Sequence, residues 1–220
     1  MNNAINEFVR ICSETLDAPE PIYEFGAWQA PNQREIAELR PLFKGKKYIG
    51  ADIQAGPGVD VVLDLHKTDL PSESAGTVLC FETFEHVENP RQAIGEVHRI
   101  LRADGVLLMS VPMNLAIHCR PDYWRYTPQG VTALLRPFAS VLVSTVGDAD
   151  YPDTVVAAAF KRNVTLDDLP AFRDRLDAWQ RRWSGPWRHG LGGFAKLLVP
   201  PIVVGMARYL RYGRFWVRRV

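Results

Sequence analysis

The stretch from Tyr48 to Pro90, YIGADIQAGPGVDVVLDLHKTDLPSESAGTVLCFETFEHVENP, constrains the fold more than any other. It holds three short apolar runs, Tyr48–Ile53, Val59–Leu65 and Gly76–Phe81, each rich in β-branched or aromatic residues. Each ends on a carboxylate or just before one: Asp52, Asp64 and Glu82. Near-continuous apolar runs of this length suit strands buried on both faces, as in a parallel α/β sheet. Ligands of such sheets sit outside the carboxyl ends of the strands. Three acids at three successive strand ends therefore point toward one crevice. A carboxylate closing the second strand is a bidentate acceptor and is well matched to the cis-diol of a ribose.

Elements on either side agree with this frame. Ile5, Phe8, Cys12 and Leu16 recur at helical spacing and predict an amphipathic covering helix over Asn3 to Leu16. Pro21 opens a short strand, PIYEFG, and Asn32 with Glu35 resembles a helix start cut short by Pro41. Asn89-Pro90 starts a helix to about Leu101, with Ala93, Ile94, Val97, Ile100 and Leu101 facing inward. Asp104-Gly105 turns into a fifth strand, VLLMSVP; Thr127-Pro128 opens a further helix, and Val141–Val146 and Thr154–Phe160 read as the last two strands.

The best-matching residues, GADI at Gly50–Ile53, VLDLH at Val62–His66, FETFEHVENP at Phe81–Pro90 and ILRADGVLLMSVP at Ile100–Pro112, resemble the class I S-adenosylmethionine-dependent methyltransferases of the type 11 group. The resemblance covers roughly residues 20 to 162. It implies an α/β, Rossmann-like fold with a seven-stranded, mostly parallel sheet in the order 3-2-1-4-5-7-6, the seventh strand antiparallel, and helices on both faces. The cofactor it implies is S-adenosylmethionine, held by Glu24, Gly26, Ala27, Asp52, Ile53, Asp64, Leu65, Phe81 and Glu82. In that pattern Asp64 and the Leu65 amide meet the adenine, and the loop after the fourth strand lies beside the methyl group. Of the usual G-x-G-x-G only Gly26 is present, with Trp28 where the second glycine would be. This excludes a dinucleotide-binding dehydrogenase, which needs the second and third glycines for close approach to its ligand.

Methyl transfer from a sulfonium already has a good leaving group, so the protein mainly aligns the reactants and excludes water. A hydroxyl acceptor also needs a base. Met113 to Pro128, MNLAIHCRPDYWRYTP, is the densest cluster of aromatic and polar residues, and loops on rigid scaffolds tend to carry function. His118 is the expected base and His86 the second candidate; Tyr123, Trp124 and Arg125 are expected to meet the substrate. No Asn/Asp-Pro-Pro-Tyr run follows the fourth strand, which argues against methylation of nucleic-acid base amino groups. No metal is expected, because acids and histidines show no metal-ligand spacing along the chain. The acceptor class expected is a small molecule, a sugar or a lipid-linked glycan. The alternative is a protein that keeps the fold as a binding module or scaffold without reacting.

Charge divides the chain. From Ala178 to Val220 there are nine Arg or Lys and no acid, while the rest holds 17 basic and 25 acidic residues. The expected organisation is a methyltransferase domain over residues 1–162 and a basic, aromatic-rich helical extension over 163–220. Trp179, Trp183, Trp187, Phe194, Phe215 and Trp216 interleave with the arginines, a composition suited to an anionic membrane surface or to packing on its own domain or on a dimer mate, with nucleic acid, for which the chain has no motif, a third reading. The longest uncharged apolar stretch there, Leu197–Ala207, contains Pro200-Pro201 and is too short to span a bilayer. An N-terminus without an apolar leader predicts a cytoplasmic protein, peripheral at most on the inner face of a membrane. Three cysteines without CxxC spacing predict buried thiols.

Overall fold

The computed structural model describes residues 2–29, 37–148 and 151–184. In chain order these form helix α1 (Asn3–Thr15), strands β1 (Ile22–Phe25), β2 (Tyr48–Asp52), β3 (Val61–Val62) and β4 (Ala75–Phe81), helix α2 (Pro90–Ile100), strand β5 (Leu101–Pro112), helix α3 (Pro128–Leu134), strands β6 (Ser140–Gly147) and β7 (Pro152–Phe160), and helix α4 (Pro170–Trp183). The helix start expected at Asn32 and Glu35 lies outside the described residues. One seven-stranded sheet runs in the order β3-β2-β1-β4-β5-β7-β6. Its first five strands pair in parallel and β7 lies antiparallel between β5 and β6. This is the order that the resemblance implies.

Sheet pleating sorts the apolar residues into two cores. Leu79 and Phe81 of β4, with Val106 and Leu108 of β5, face α1 and α4; Val78 and Cys80, with Leu107, Met109 and Val111, face α2 and α3. All seven residues of β4 are buried, which explains why its sequence shows no polar alternation. The helix starts follow from local chemistry. Asn2 accepts from the Ile5 amide, Asn89 from the Gln92 amide and Thr127 from the Gly130 amide, the latter two before a proline in the first turn.

Two strand lengths differ from expectation. Predicted over seven residues, β3 has two, because it is an edge strand with β2 as its one neighbour. Asp60 before it is drawn off to Arg40 at 2.8 Å and to the Gly50 amide at 2.7 Å, and Asp64 after it bends back onto the His66 amide at 2.8 Å. β5 begins earlier than expected, at Leu101, which pairs with Ala75 across a local irregularity in register.

The compact unit runs to Ser184, beyond the boundary expected at Arg162. α4 belongs to the core: Phe172 and Trp179 are fully buried, Trp179 packs at 5.6 Å on Phe8, and its indole N–H donates to the Ala4 carbonyl at 2.9 Å. Arg182 pairs with Glu7 at 3.3 Å and the Trp183 indole donates to the same carboxylate at 2.7 Å. The opening of the basic stretch, with Trp179 and Trp183, therefore packs against α1 on its own domain. The remainder, 185–220, lies outside the described residues. Among the described residues no helix is long and apolar enough to cross a membrane. Cys12 and Cys80 are buried as expected, whereas Cys119 is exposed on the loop after β5.

Trp179→Ala removes a large buried ring and leaves the Ala4 carbonyl without its partner. The variant should lose about 3–5 kcal/mol of stability, measured as a lowered urea midpoint with an unchanged denaturant slope. A loss under about 1 kcal/mol would mean that α4 does not belong to the core.

Candidate active site

The parallel strands β1 to β5 all end at one edge of the sheet, and the expected cofactor residues gather along it. At the end of β1 the chain turns at Gly26 with φ +84°. A Cβ there would lie 2.3 Å from the Thr83 hydroxyl oxygen, which itself donates to the Phe25 carbonyl at 3.0 Å. Glycine is thus required at this point by both conformation and space. Ala27 is buried, and the Gly26 and Ala27 amides both donate to the Ala51 carbonyl, at 3.0 and 3.1 Å.

Trp28 does not break this loop. Its indole lies over Gly56, where a Cβ would approach ring atoms to 2.5 Å. The absence of a side chain at Gly56, in the facing turn, makes room for the Trp28 ring. The Trp28 amide donates to Asp52 at 3.2 Å and the Gln54 amide to the other oxygen of the same carboxylate at 3.1 Å. Two backbone donors fix Asp52 and leave acceptor capacity on both oxygens, since a carboxylate offers about four lone-pair sites. Ile53 beside it is 69% exposed.

Asp64 accepts from the His66 amide at 2.8 Å and contacts its Nδ1 at 2.7 Å, which holds the carboxyl below its usual range. His66 Nε2 accepts from the Asn89 amide at 3.2 Å, so this histidine braces the start of α2 and is not simply solvated as a loop histidine. Leu65 is buried. Glu24 is turned into the sheet, where it accepts from the Tyr48 hydroxyl at 2.6 Å; burial pushes its carboxyl up to about 7.

The end of β4 carries the densest chemistry. Phe81 is buried, and Glu82 adopts φ +51°, uncommon for a residue with a side chain. Its amide donates to both oxygens of Ser110, and the Ser110 hydroxyl donates to its carboxylate at 2.9 Å. Burial raises the Glu82 carboxyl, and the nearby His118 and His86 oppose that rise. Glu85 is 0% exposed, and neither of its carboxylate oxygens has a hydrogen-bond partner among the described residues. Burial, reinforced by the charge of Glu82, pushes it up to about 8.

The loop from Met113 to Thr127 folds over Glu85. The Tyr123 and Trp124 amides donate to the Glu85 carbonyl at 2.7 and 3.3 Å, the Trp124 indole to the Val87 carbonyl at 2.9 Å, and the Tyr126 hydroxyl to the Phe84 carbonyl at 3.1 Å. His118 Nε2 and His86 Nε2 lie 3.9 and 3.8 Å from the same Glu85 Oε1. Asp122 positions His118: it accepts from the His118 amide at 2.9 Å and lies 3.4 Å from Nδ1. The Arg125 fork beside Asp122 holds that carboxyl down at about 2. Arg125 also donates to the Leu115, Ala116 and Trp124 carbonyls. Its fork is thus consumed in shaping the loop, whereas Tyr123 and Trp124 remain 46% and 43% exposed.

Of the expected residues, the structure brings Glu82, His86 and His118 together and aligns Asp52 and Asp64 along the same edge. It adds Glu85 and Asp122, which the sequence reading did not single out as site residues. It also corrects the expectation that histidines and acids form no metal-type cluster: one ligand atom each from Glu85, His86 and His118 lie within 4.8 Å of one another. Their 32-residue separation hid this; the adjacent Glu85-His86 pair in FETFEHV was its only sequence signal.

Comparison with known proteins agrees with the fold. Residues 35–109 match the methyltransferase domain family. No curated protein matches the sequence. Among solved structures, the chain is similar to 1,6-didemethyltoxoflavin-N1-methyltransferase of Burkholderia thailandensis, determined with S-adenosylhomocysteine, at 19% identity and TM-score 0.56 over 73% of this chain and 79% of that one. A methyltransferase of Archaeoglobus fulgidus matches at 11% identity and TM-score 0.55, over 70% and 92%. A possible histamine N-methyltransferase of Thermotoga maritima matches at 16% and 0.52, over 72% and 92%. Residues 35–109 therefore carry a methyltransferase domain, and the fold of the chain is shared with S-adenosylmethionine-dependent methyltransferases.

The elevated Glu24 carboxyl has a consequence for stability. A carboxyl raised in the folded state, from 4.5 to about 7, contributes stability that is complete below about pH 4.5 and is lost as pH rises through about 7. Glu24→Gln keeps an acceptor for Tyr48 and removes the proton linkage. The difference in unfolding free energy between variant and parent should shift in favour of the variant by about 2–3 kcal/mol from pH 5 to pH 8, read from urea titrations at each pH. A difference constant with pH would return Glu24 to ordinary carboxylate behaviour.

Proposed function

We propose that this methyltransferase transfers the methyl group of S-adenosylmethionine to a hydroxyl of a small-molecule, sugar or lipid-linked glycan acceptor. The observation that carries the reading is the buried Glu85, with His86 and His118 against it, at the carboxyl end of the central strand. In the transfer, the acceptor oxygen attacks the methyl carbon in line, the carbon–sulfur bond breaks, S-adenosylhomocysteine leaves and the hydroxyl proton passes to a base. Neutral imidazole is suited to that proton, and Asp122 behind His118 favours the imidazolium that results. Other proteins of this fold include an N1-methyltransferase and a carbon methyltransferase, so fold alone does not assign the acceptor atom. The base cluster is the reason for choosing oxygen over nitrogen, since a neutral amine attacks through its lone pair before any proton is lost, whereas a hydroxyl needs a base as it attacks.

The cofactor's ribose is assigned to Asp52, whose two backbone donors leave lone pairs for a diol. The methionine end is assigned to the Gly26–Ala27 turn, and the adenine to the span from Ile53 to Asp64 and the Leu65 amide. Tyr123 and Trp124 are assigned to the acceptor because they present apolar surface beside the histidines.

Calorimetric titration with S-adenosylmethionine tests the reading directly. The parent should bind one equivalent, and Asp52→Ala should bind more than tenfold more weakly, about 1.4 kcal/mol. No binding by the folded parent would leave a scaffold protein instead of an enzyme; unchanged affinity in Asp52→Ala would remove Asp52 from the site. With binding established, a screen of sugars, lipid-linked glycans and phenols identifies the acceptor.

The segment 185–220 bears on where that acceptor resides. It carries seven basic residues and no acid, with Trp187, Phe194, Phe215 and Trp216 among them. This composition supports attachment to an anionic lipid surface, where each basic residue contributes about 1 kcal/mol. The full chain should sediment with anionic vesicles more than with neutral ones and be partly released at about 1 M salt, where the Debye length is about 3 Å. A chain ending at Ser184 should remain in the supernatant. Equal sedimentation of the two chains would place any lipid contact elsewhere.

A further inference from the structure

We propose that Glu85, His86 and His118 form a binding site for a first-row divalent cation. The proposal rests on the methyl-transfer reading only for what the cation would do there; its binding is a separate claim.

The first ground is Glu85 itself. Its side chain is fully buried and neither carboxylate oxygen meets a hydrogen-bond donor. Buried polar atoms are nearly always satisfied, and a dry, unpartnered carboxylate costs several kcal/mol even after partial relaxation. The two imidazoles stand at 3.8 and 3.9 Å from Oε1, too long for hydrogen bonds. The same spacing is close to that of ligands around one ion. Tetrahedral nitrogen and oxygen ligands with bonds of about 2.0–2.1 Å lie about 3.3 Å apart. The two glutamate–histidine distances exceed this by about half an ångström, and the three ligand atoms all lie within 4.8 Å of one another, so side-chain rotations of about 1 Å at the ligand atoms gather them around one ion.

The second ground is the direction of the histidines. His86 Nδ1 lies 2.6 Å from the Pro121 carbonyl. A carbonyl only accepts, so Nδ1 carries the proton, and the lone pair of the neutral ring is on Nε2, the nitrogen near Glu85. In His118, Asp122 lies 3.4 Å from Nδ1 without a hydrogen bond, and Nε2 is the nitrogen turned toward Glu85. Metal-binding histidines are held as His86 is, with one nitrogen on a carbonyl or carboxylate and the other on the ion.

The third ground is charge. Arg125 neutralises Asp122 directly. Among the described residues no cationic side chain is bonded to the carboxyl of Glu82 or Glu85, so a cation entering there and displacing any carboxyl proton would meet no positive side chain in contact with those groups. Two nitrogens and a carboxylate oxygen, without thiolate, favour zinc, cobalt, iron or manganese over calcium or magnesium. The three protein ligands would leave a position open, where an acceptor hydroxyl could be polarised. His118 would then be a ligand, and its role as base belongs to the cation-free site.

The test uses the full-length chain without a histidine tag, stripped with chelator and titrated with Co²⁺ by visible absorption and with Zn²⁺ by calorimetry. One equivalent should bind, with d–d bands and a rise in melting temperature of a few degrees. Glu85→Gln, which preserves shape, and His118→Ala, on a part-exposed loop residue, should each weaken binding at least about a hundredfold, while near-ultraviolet circular dichroism reports that both remain folded. His98→Ala, at a histidine packed on Phe138, should bind as the parent does. Absence of saturable binding overturns the proposal and assigns the space to a water molecule. Binding that survives in both Glu85→Gln and His118→Ala overturns it too, since the ion would then sit elsewhere. The S-adenosylmethionine titration separates the two claims. Cofactor binding without metal binding defeats the metal site alone, and metal binding without cofactor binding defeats the methyltransferase reading alone.

Discussion

The complete burial of β4 is the constraint from which the rest of the site follows. A strand with no exposed residue has no side on which to carry polar groups, so its chemistry is confined to its end. There the chain leaves the sheet through Glu82 in a left-handed conformation, ties its backbone and carboxylate to Ser110, and sets Glu85 into the space below. Because β5 runs parallel beside β4, the loop that follows β5 emerges at the same edge and covers the same space. The two loops are joined through the backbone: Tyr123 and Trp124 donate to the carbonyl of Glu85, the residue whose side chain is unpartnered.

Much of the fold was legible because parallel-sheet strands announce themselves by composition. VLCF and VLLM admit no amphipathic helix in so short a run, and Asn89-Pro90 and Thr127-Pro128 are helix starts with a mechanism. Less legible were features decided by neighbours. The shortness of β3 depends on Arg40 reaching Asp60 from a distant turn. The membership of α4 in the core depends on Trp179 meeting Phe8, which no local pattern encodes; its charged sequence and the basic run that follows it read as an extension.

At the site, the strand-end acids were readable one by one, since each follows an apolar run. Asp122 and Glu85 were not. Asp122 sits in a loop without periodicity and matters because Arg125 and His118 fold back on it. Glu85 has the sequence appearance of a solvated loop acid and is instead enclosed by Phe84, Tyr126 and the loop above. Trp28 is the converse. Sequence makes it a departure in a glycine loop, and the structure shows its ring accommodated by Gly56 across the gap.

The ion pair between Arg125 and Asp122 ties the geometry of the site to its accessibility. Asp122 fixes His118, Arg125 grips three carbonyls of the same loop, and Tyr123 closes on the Glu85 backbone, so these contacts move as one piece. Were the loop to lift, His118 would depart with it and water would reach Glu85, whose elevated carboxyl owes most to being dry. A rehydrated Glu85 would ionise near neutral pH. Admission of a reactant would thus change the electrical character of the floor beneath it, and reclosure would reverse the change. In such an arrangement the pocket has no fixed polarity of its own: it carries a charge while open to water and loses it each time it is sealed.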